Sequence, residues 1–130
     1  MAWVDGAYIL NGTLRYIPDG HTAGLLIVAA RQDGSSGEQG ISLFAVPADT
    51  AGVQRTWLPT MDQTRKQAEI QLSNVTLSKE ALMGDAGNAW NNLNKIIGLA
   101  NVAVAAEQMG GAQQALDLTV EYTQERVQFN

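Results

Sequence analysis

Cysteine is absent from the 130 residues. Its absence removes disulfides, thiolate metal sites and a cysteine nucleophile, and it fits a reducing compartment such as the cytoplasm. Basic residues are scarce: eight Lys and Arg against thirteen Asp and Glu leave a net charge of -5 and a pI near 4.6. Such a chain has no basic face with which to grip nucleic acid or anionic lipid regardless of sequence, so neither is expected as a partner. Long hydrophobic runs are also missing. The most apolar stretch, residues 96–106, is too short to cross a bilayer and is interrupted by Asn101, so no membrane span is expected. The opening M-A-W-V-D-G shows no basic segment followed by an apolar one, and no secretory signal is read there. The single histidine, His21, has no second ligand at metal spacing and reads as a solvated loop residue. The G-S-S-G after Asp33 lacks the lysine and the helix of a phosphate-binding loop.

What is present is a globular composition, 45% hydrophobic and 16% charged, whose pattern changes character once. Residues 7–77 read as short strands separated by turn chemistry. Asn11-Gly12 between Tyr8–Leu10 and Thr13–Ile17 predicts a tight hairpin, because Asn-Gly accepts positive φ. The run G-L-L-I-V-A-A, residues 24–30, predicts a strand buried on both faces, followed by a polar glycine-rich loop and a second strand from Ile41 that Pro47 stops. Residues 53–58 and 68–75 alternate with period two; Ala68, Ile70 and Leu72 face one way, and Glu69, Gln71 and Ser73 the other. After Gly84, with Asp85 or Asn88 as N-cap, apolar residues from Leu93 to Val120 recur at helical spacing. One long helix to about residue 128, or two broken near Gly98, fits that spacing. The expected class is α+β, an antiparallel β-barrel or sandwich segment followed by one or two long helices.

Four motifs in order resemble those of the acyl-CoA dehydrogenases. Y-I-L-N-G-T-L-R-Y-I-P-D-G, residues 8–20, is similar to the family's L-N-G-x-K-x-[WYF]-I-[ST]-x-G. G-I-S-L-F-A-V-P, residues 40–47, resembles a family strand that ends in a loop with glycine, here Gly52. L-S-N-V-T-L-S-K-E-A-L-M-G, residues 72–84, resembles F-x-[DN]-V-x-V-P-x-x-x-x-L-G, and Y-T-Q-E-R-V-Q-F, residues 122–129, resembles Y-x-x-x-R-x-Q-F-G. The resemblance implies that residues 1–84 belong to a middle β domain and residues 85–130 begin a carboxy-terminal four-helix domain. It also implies a longer protein of which this chain is a piece.

The resemblance further implies FAD as cofactor, an acyl-CoA thioester as substrate, electron-transfer flavoprotein as acceptor and assembly into a homo- or hetero-oligomer. Arg126 and Gln128 match positions that reach the cofactor of a neighbouring subunit, with Val127 between them and Phe129 offering a ring near the adenine. Tyr16 and Ile17 match the flavin-flanking positions. Pro18 stands where a hydroxyl usually meets the flavin, and it has neither hydroxyl nor backbone donor. Asn101 falls near the family's contact with the CoA chain. The early-helix position of the catalytic base falls near Ala100, which accepts no proton; Glu107 lies about two turns, roughly 10 Å, further on. No catalytic residue is therefore expected in this chain beyond a marginal claim for Glu107. Pro18 and Ala100 leave room for a second reading, a non-catalytic assembly subunit of a heteromeric dehydrogenase. A free-standing β-rich binding module is a third.

Overall fold

The structure, a computed structural model, describes residues 1–128. It divides into two compact units, Met1–Trp90 and the remainder from Asn91.

The first unit holds seven strands: β1 (Ala2–Val4), β2 (Ala7–Pro18), β3 (Leu25–Arg31), β4 (Ile41–Pro47), β5 (Val53–Leu58), β6 (Gln67–Leu77) and β7 (Leu82–Met83). A single 3-10 turn, Lys79–Ala81, precedes β7. One sheet has the order β1-β2-β6-β5 and the other β3-β4-β7, all pairings antiparallel. The alternating side chains of both sheets meet in one core. Leu10 of β2, Val28 of β3, Phe44 and Val46 of β4, and Ile70 and Val75 of β6 are fully enclosed there. Burying side chains of this size contributes about 1.5–3 kcal/mol each. Ser42, the buried polar residue on β4, is satisfied by the backbone N–H of Gly87, which donates to its Oγ at 2.8 Å.

Two expectations are corrected by the sheets. Asn11-Gly12 is not a hairpin turn but lies inside the continuous strand β2. Leu10 pairs Val75 and Gly12 pairs Leu72, so Asn11 faces both Ser73 and Asn74 across a β-bulge. The Asn11 side chain accepts the Asn74 N–H at 2.7 Å and donates to Asn74 Oδ1 at 3.1 Å, while Asn74 takes φ 51°. The positive φ that Asn-Gly signals is used by Gly12 (φ 153°) to shape a bulge. The hairpin turn lies instead at Asp5-Gly6, between Val4 and its partner Ala7, with φ 48° and 82° as a type I′ turn requires. Strand β3, expected to be buried on both faces, is an edge strand that buries only one. Leu26 and Val28 enter the core, while Leu25 and Ile27 are each 55% exposed.

The turn from β4 to β5 requires glycine. Val53 N–H donates to Thr50 O, and Gly52 sits at the third turn position with φ 88°. A Cβ on Gly52 would lie 2.3 Å from the carbonyl oxygen of Ser73, whose N–H already donates to Gly52 O at 2.9 Å.

One helix, α1, Trp90–Glu125, begins on the last residue of the first unit and makes up most of the second, uninterrupted at Gly98 and through Gly110-Gly111. Asp85 and Asn88 are not its N-cap, since the residue before Trp90 is Ala89; Asn88 instead forms a parallel bridge with Ile41. None of the helix residues is buried, and its exposed apolar side chains include Leu99, Val102 and Met109. Neither α1 nor any other helix among the described residues is long and apolar enough to cross a membrane.

Candidate functional site

The residues singled out by their sequence context fall on two elements. Tyr16, Ile17 and Pro18 end β2, and Arg126, Val127 and Gln128 follow the end of α1.

On β2 the ladder skips a residue for a second time. Leu14 pairs Ile70 and Ile17 pairs Ala68, so Arg15 and Tyr16 together oppose the single residue Glu69. This bulge places Tyr16 at φ 59°, a left-handed conformation rare for an aromatic residue. The Tyr16 side chain is consequently exposed, at 66%, although it lies within a strand whose neighbours enter the core. Arg15 Nε donates to Glu69 Oε2 at 2.5 Å. That charged hydrogen bond, joined by direct attraction to the carboxylate, raises the guanidinium pKa above its ordinary value. Ile17 packs against the core, and Pro18 closes the ladder opposite Gln67. An apolar recess of about 190 Å³ adjoins them, lined by Ile17, Pro18, Ala23, Leu25 and Ile27.

The β2–β3 turn brings a correction. His21 is half-buried rather than solvated, and its Nδ1 is enclosed with no hydrogen-bond partner among the described residues. It borders an open cleft of about 360 Å³ with Thr22, Asp49 and Arg55. Arg55 Nη1 donates to Ala23 O at 2.8 Å across one side of that cleft. Among the described residues no group of three or more His, Asp or Glu side chains is placed to hold a metal.

At the other element, Arg126 N–H donates to Tyr122 O at 3.0 Å as the helix ends. The four-residue spacing also puts the two side chains together. Arg126 Nη1 donates to the Tyr122 hydroxyl, and the guanidinium carbon lies 5.4 Å from the centre of the tyrosine ring, a cation–π arrangement. Tyr122 thus braces the guanidinium, a role that the Y-x-x-x-R spacing signals once the segment is known to be helical. Arg126, Val127 and Gln128 are all exposed, and Phe129 lies outside the described residues. Asn101 and Glu107 are exposed positions on α1. From Glu107 to Arg126 the helix advances about 28 Å, so one helix cannot bring these two to the same small group.

The donor chemistry fits FAD in part. On the helical unit, the exposed guanidinium of Arg126 and, two residues on, the exposed carboxamide of Gln128 each suit phosphate oxygens; on the β unit, taken by itself, the exposed ring of Tyr16 suits a flat ring system. Pro18 supplies no donor to a flavin ring nitrogen.

The profile described as acyl-CoA dehydrogenase, middle domain, matches residues 2–75. Cyclohex-1-ene-1-carbonyl-CoA dehydrogenase of Geobacter metallireducens is 33% identical over 124 residues, covering 94% of this chain and 33% of that protein. The structure of butyryl-CoA dehydrogenase from Megasphaera elsdenii superposes with a TM-score of 0.87 at 32% identity, over 97% of this chain and 33% of that one. A glutaryl-CoA dehydrogenase from Mycobacterium smegmatis, solved with FADH2, superposes at 0.81 with 28% identity, over 98% and 32%. The chain therefore spans about one third of the length of these relatives. With the profile running from β1 into β6 and the superpositions continuing into the long helix, the chain belongs to the acyl-CoA dehydrogenase family.

Proposed function

We propose that the chain is part of an FAD-dependent acyl-CoA dehydrogenase, in which it supplies half of a cofactor site and no catalytic base. The observation that carries this reading is the exposed Arg126 guanidinium, braced by Tyr122 at the end of α1 and followed by the exposed carboxamide of Gln128. A planar guanidinium donates paired hydrogen bonds to phosphate oxygens, and Gln128 adds an amide donor. These groups, with Phe129, serve the adenine and diphosphate end of FAD bound mainly by a neighbouring subunit. Separately, on the β unit, Tyr16 and Ile17, with Pro18, flank a flavin ring. When bound, FAD accepts the hydride from the β-carbon of an acyl-CoA whose α-proton a carboxylate removes. Within this chain Asn101 offers a hydrogen bond to the CoA chain. Residues 1–84 then form the middle β domain, and residues 85–130 open a four-helix domain through which the protein oligomerises. Electron-transfer flavoprotein is the acceptor and the cytoplasm the compartment in this reading.

Ala100 and Pro18 favour one alternative. The early-helix position holds no proton acceptor, and the strand-end position holds no donor, which suits an assembly subunit that lends Arg126 to a catalytic partner. Flavin absorbance and size-exclusion chromatography of the intact parent protein, followed by reduction of an electron acceptor with acyl-CoA, separate the two. Flavin binding with turnover supports the enzyme; flavin binding that needs a second, different subunit supports the alternative. A protein that binds no flavin in either setting defeats both.

A further inference from the structure

The bulge before Tyr16 contains an ambiguity that a local interaction must resolve. Two residues, Arg15 and Tyr16, face one, Glu69, and either of the two could be the extra residue. A one-residue slip would exchange the faces on which their side chains lie. In the structure Arg15 is the residue held against Glu69, by the Nε–Oε2 hydrogen bond of 2.5 Å, and Tyr16 is the one turned to φ 59° and exposed. Glu69 is well placed to decide this. It lies between Ala68 and Ile70, both fully enclosed in the core, so its own backbone is fixed, and its side chain is only 28% exposed against 63% for Arg15. Packing offers no equivalent anchor for Tyr16, whose ring is mostly in solvent.

We propose that Arg15 and Glu69 are positioning residues that set the register of this bulge and thereby hold Tyr16 in the orientation that presents its ring to a flavin. The inference rests on the reading of Tyr16 as a flavin neighbour. Its first test is nevertheless independent of any cofactor. Leu14 and Ile17, on either side of the bulge, keep their pairing with Ile70 and Ala68, so the pair acts on the two residues between them. Reversing one charge should change the bulge without unfolding the sheet, and reversing both should restore it.

The experiment uses the full chain in four forms: wild type, Arg15→Glu, Glu69→Gln and the exchange Arg15→Glu/Glu69→Arg. In each, the intraresidue amide–Hα NOE of Tyr16 is recorded, which is strong at positive φ and weak in extended chain. A strong NOE in wild type, its loss in Arg15→Glu, its weakening in Glu69→Gln and its return in the exchange, with melting temperatures nearly unchanged, is the expected result. A Tyr16 NOE that stays strong in Arg15→Glu overturns the proposal, as does an exchange that fails to restore it. If Arg15→Glu fails to fold, Glu69→Gln and the exchange carry the same decision. FAD binding is then measured on the intact parent protein carrying the same four forms, with an expected loss of about fivefold in Arg15→Glu from the misplaced aromatic contact and recovery in the exchange. Should the NOE follow the charges while FAD affinity does not, the pair still orients Tyr16, and it is the reading of Tyr16 as a flavin neighbour that fails.

Discussion

Replacing Gly52 by alanine should destabilise the β unit by about 3 kcal/mol or more, and the value divides into parts that a second variant can isolate. At φ 88° any residue with a Cβ carries the left-handed penalty of about 1–2 kcal/mol. The added methyl would also stand 2.3 Å from Ser73 O, a backbone atom with no flexible side chain to yield, and 3.2 Å from Val75 Cγ2 in the core. Relief requires β5 and β6 to part at this point, which breaks the Ser73 N–H to Gly52 O bond of 2.9 Å, worth about 1 kcal/mol net. Gly34 provides the comparison. Its φ is 78°, almost the same, yet a Cβ there meets nothing within 4 Å, so Gly34→Ala should carry the backbone penalty alone, about 1–2 kcal/mol. Urea unfolding of both variants, followed by the fluorescence of the chain's three tryptophans, Trp3, Trp57 and Trp90, measures the two losses. Equal losses, within about 0.5 kcal/mol, would refute the close approach of the β4–β5 turn to Ser73.

Three further outcomes follow from single contacts. Phe44 is fully buried and meets the Tyr8 ring edge-on at 4.9 Å, so Phe44→Ala should cost about 3–5 kcal/mol in the same unfolding assay. Asp62 accepts hydrogen bonds from the hydroxyl and the backbone N–H of Thr64, which hold its carboxyl below the ordinary carboxylate range. A lowered folded pKa means that this contribution is complete above about pH 3.9 and is lost as pH falls through the lower folded value. An NMR titration of the Asp62 carboxyl should show a depressed midpoint that moves upward in Thr64→Val, and an unmoved midpoint contradicts the assignment. Pro18→Thr introduces the hydroxyl and the backbone donor that position 18 lacks, and flavin affinity measured by fluorescence quenching should rise about fivefold, the worth of one net hydrogen bond.

Much of the fold is legible in the sequence where period and burial agree. Ala68, Ile70 and Leu72 alternate with polar residues, and all three are buried on β6; Pro47 ends β4 as its missing donor requires; the apolar recurrence after Leu93 is one helix. The failures have a common cause, which is that local backbone chemistry does not say what the backbone is used for. Asn11-Gly12 and Asp5-Gly6 carry the same tolerance for positive φ, yet only the second makes a hairpin, because β6 runs past Asn11 and supplies Asn74 to complete a bulge. The apolar run of β3 looks doubly buried, but its position at a sheet edge leaves Leu25 and Ile27 outside. At the candidate site, the helical spacing of Tyr122 and Arg126 is readable in the sequence. The bulge at Tyr16 is not, because it depends on Glu69, more than fifty residues away along the chain.

The central claim, that the end of α1 is a diphosphate-binding half-site, is tested most directly by comparing FAD with riboflavin, which lacks the adenosine diphosphate, on wild type and Arg126→Ala protein. The account predicts that wild type binds FAD more tightly than riboflavin and that Arg126→Ala loses about tenfold or more in FAD affinity, the worth of a charged hydrogen bond to phosphate, while riboflavin binding is unchanged. Equal FAD affinity in the two proteins, or no preference of the wild type for FAD over riboflavin, would contradict it.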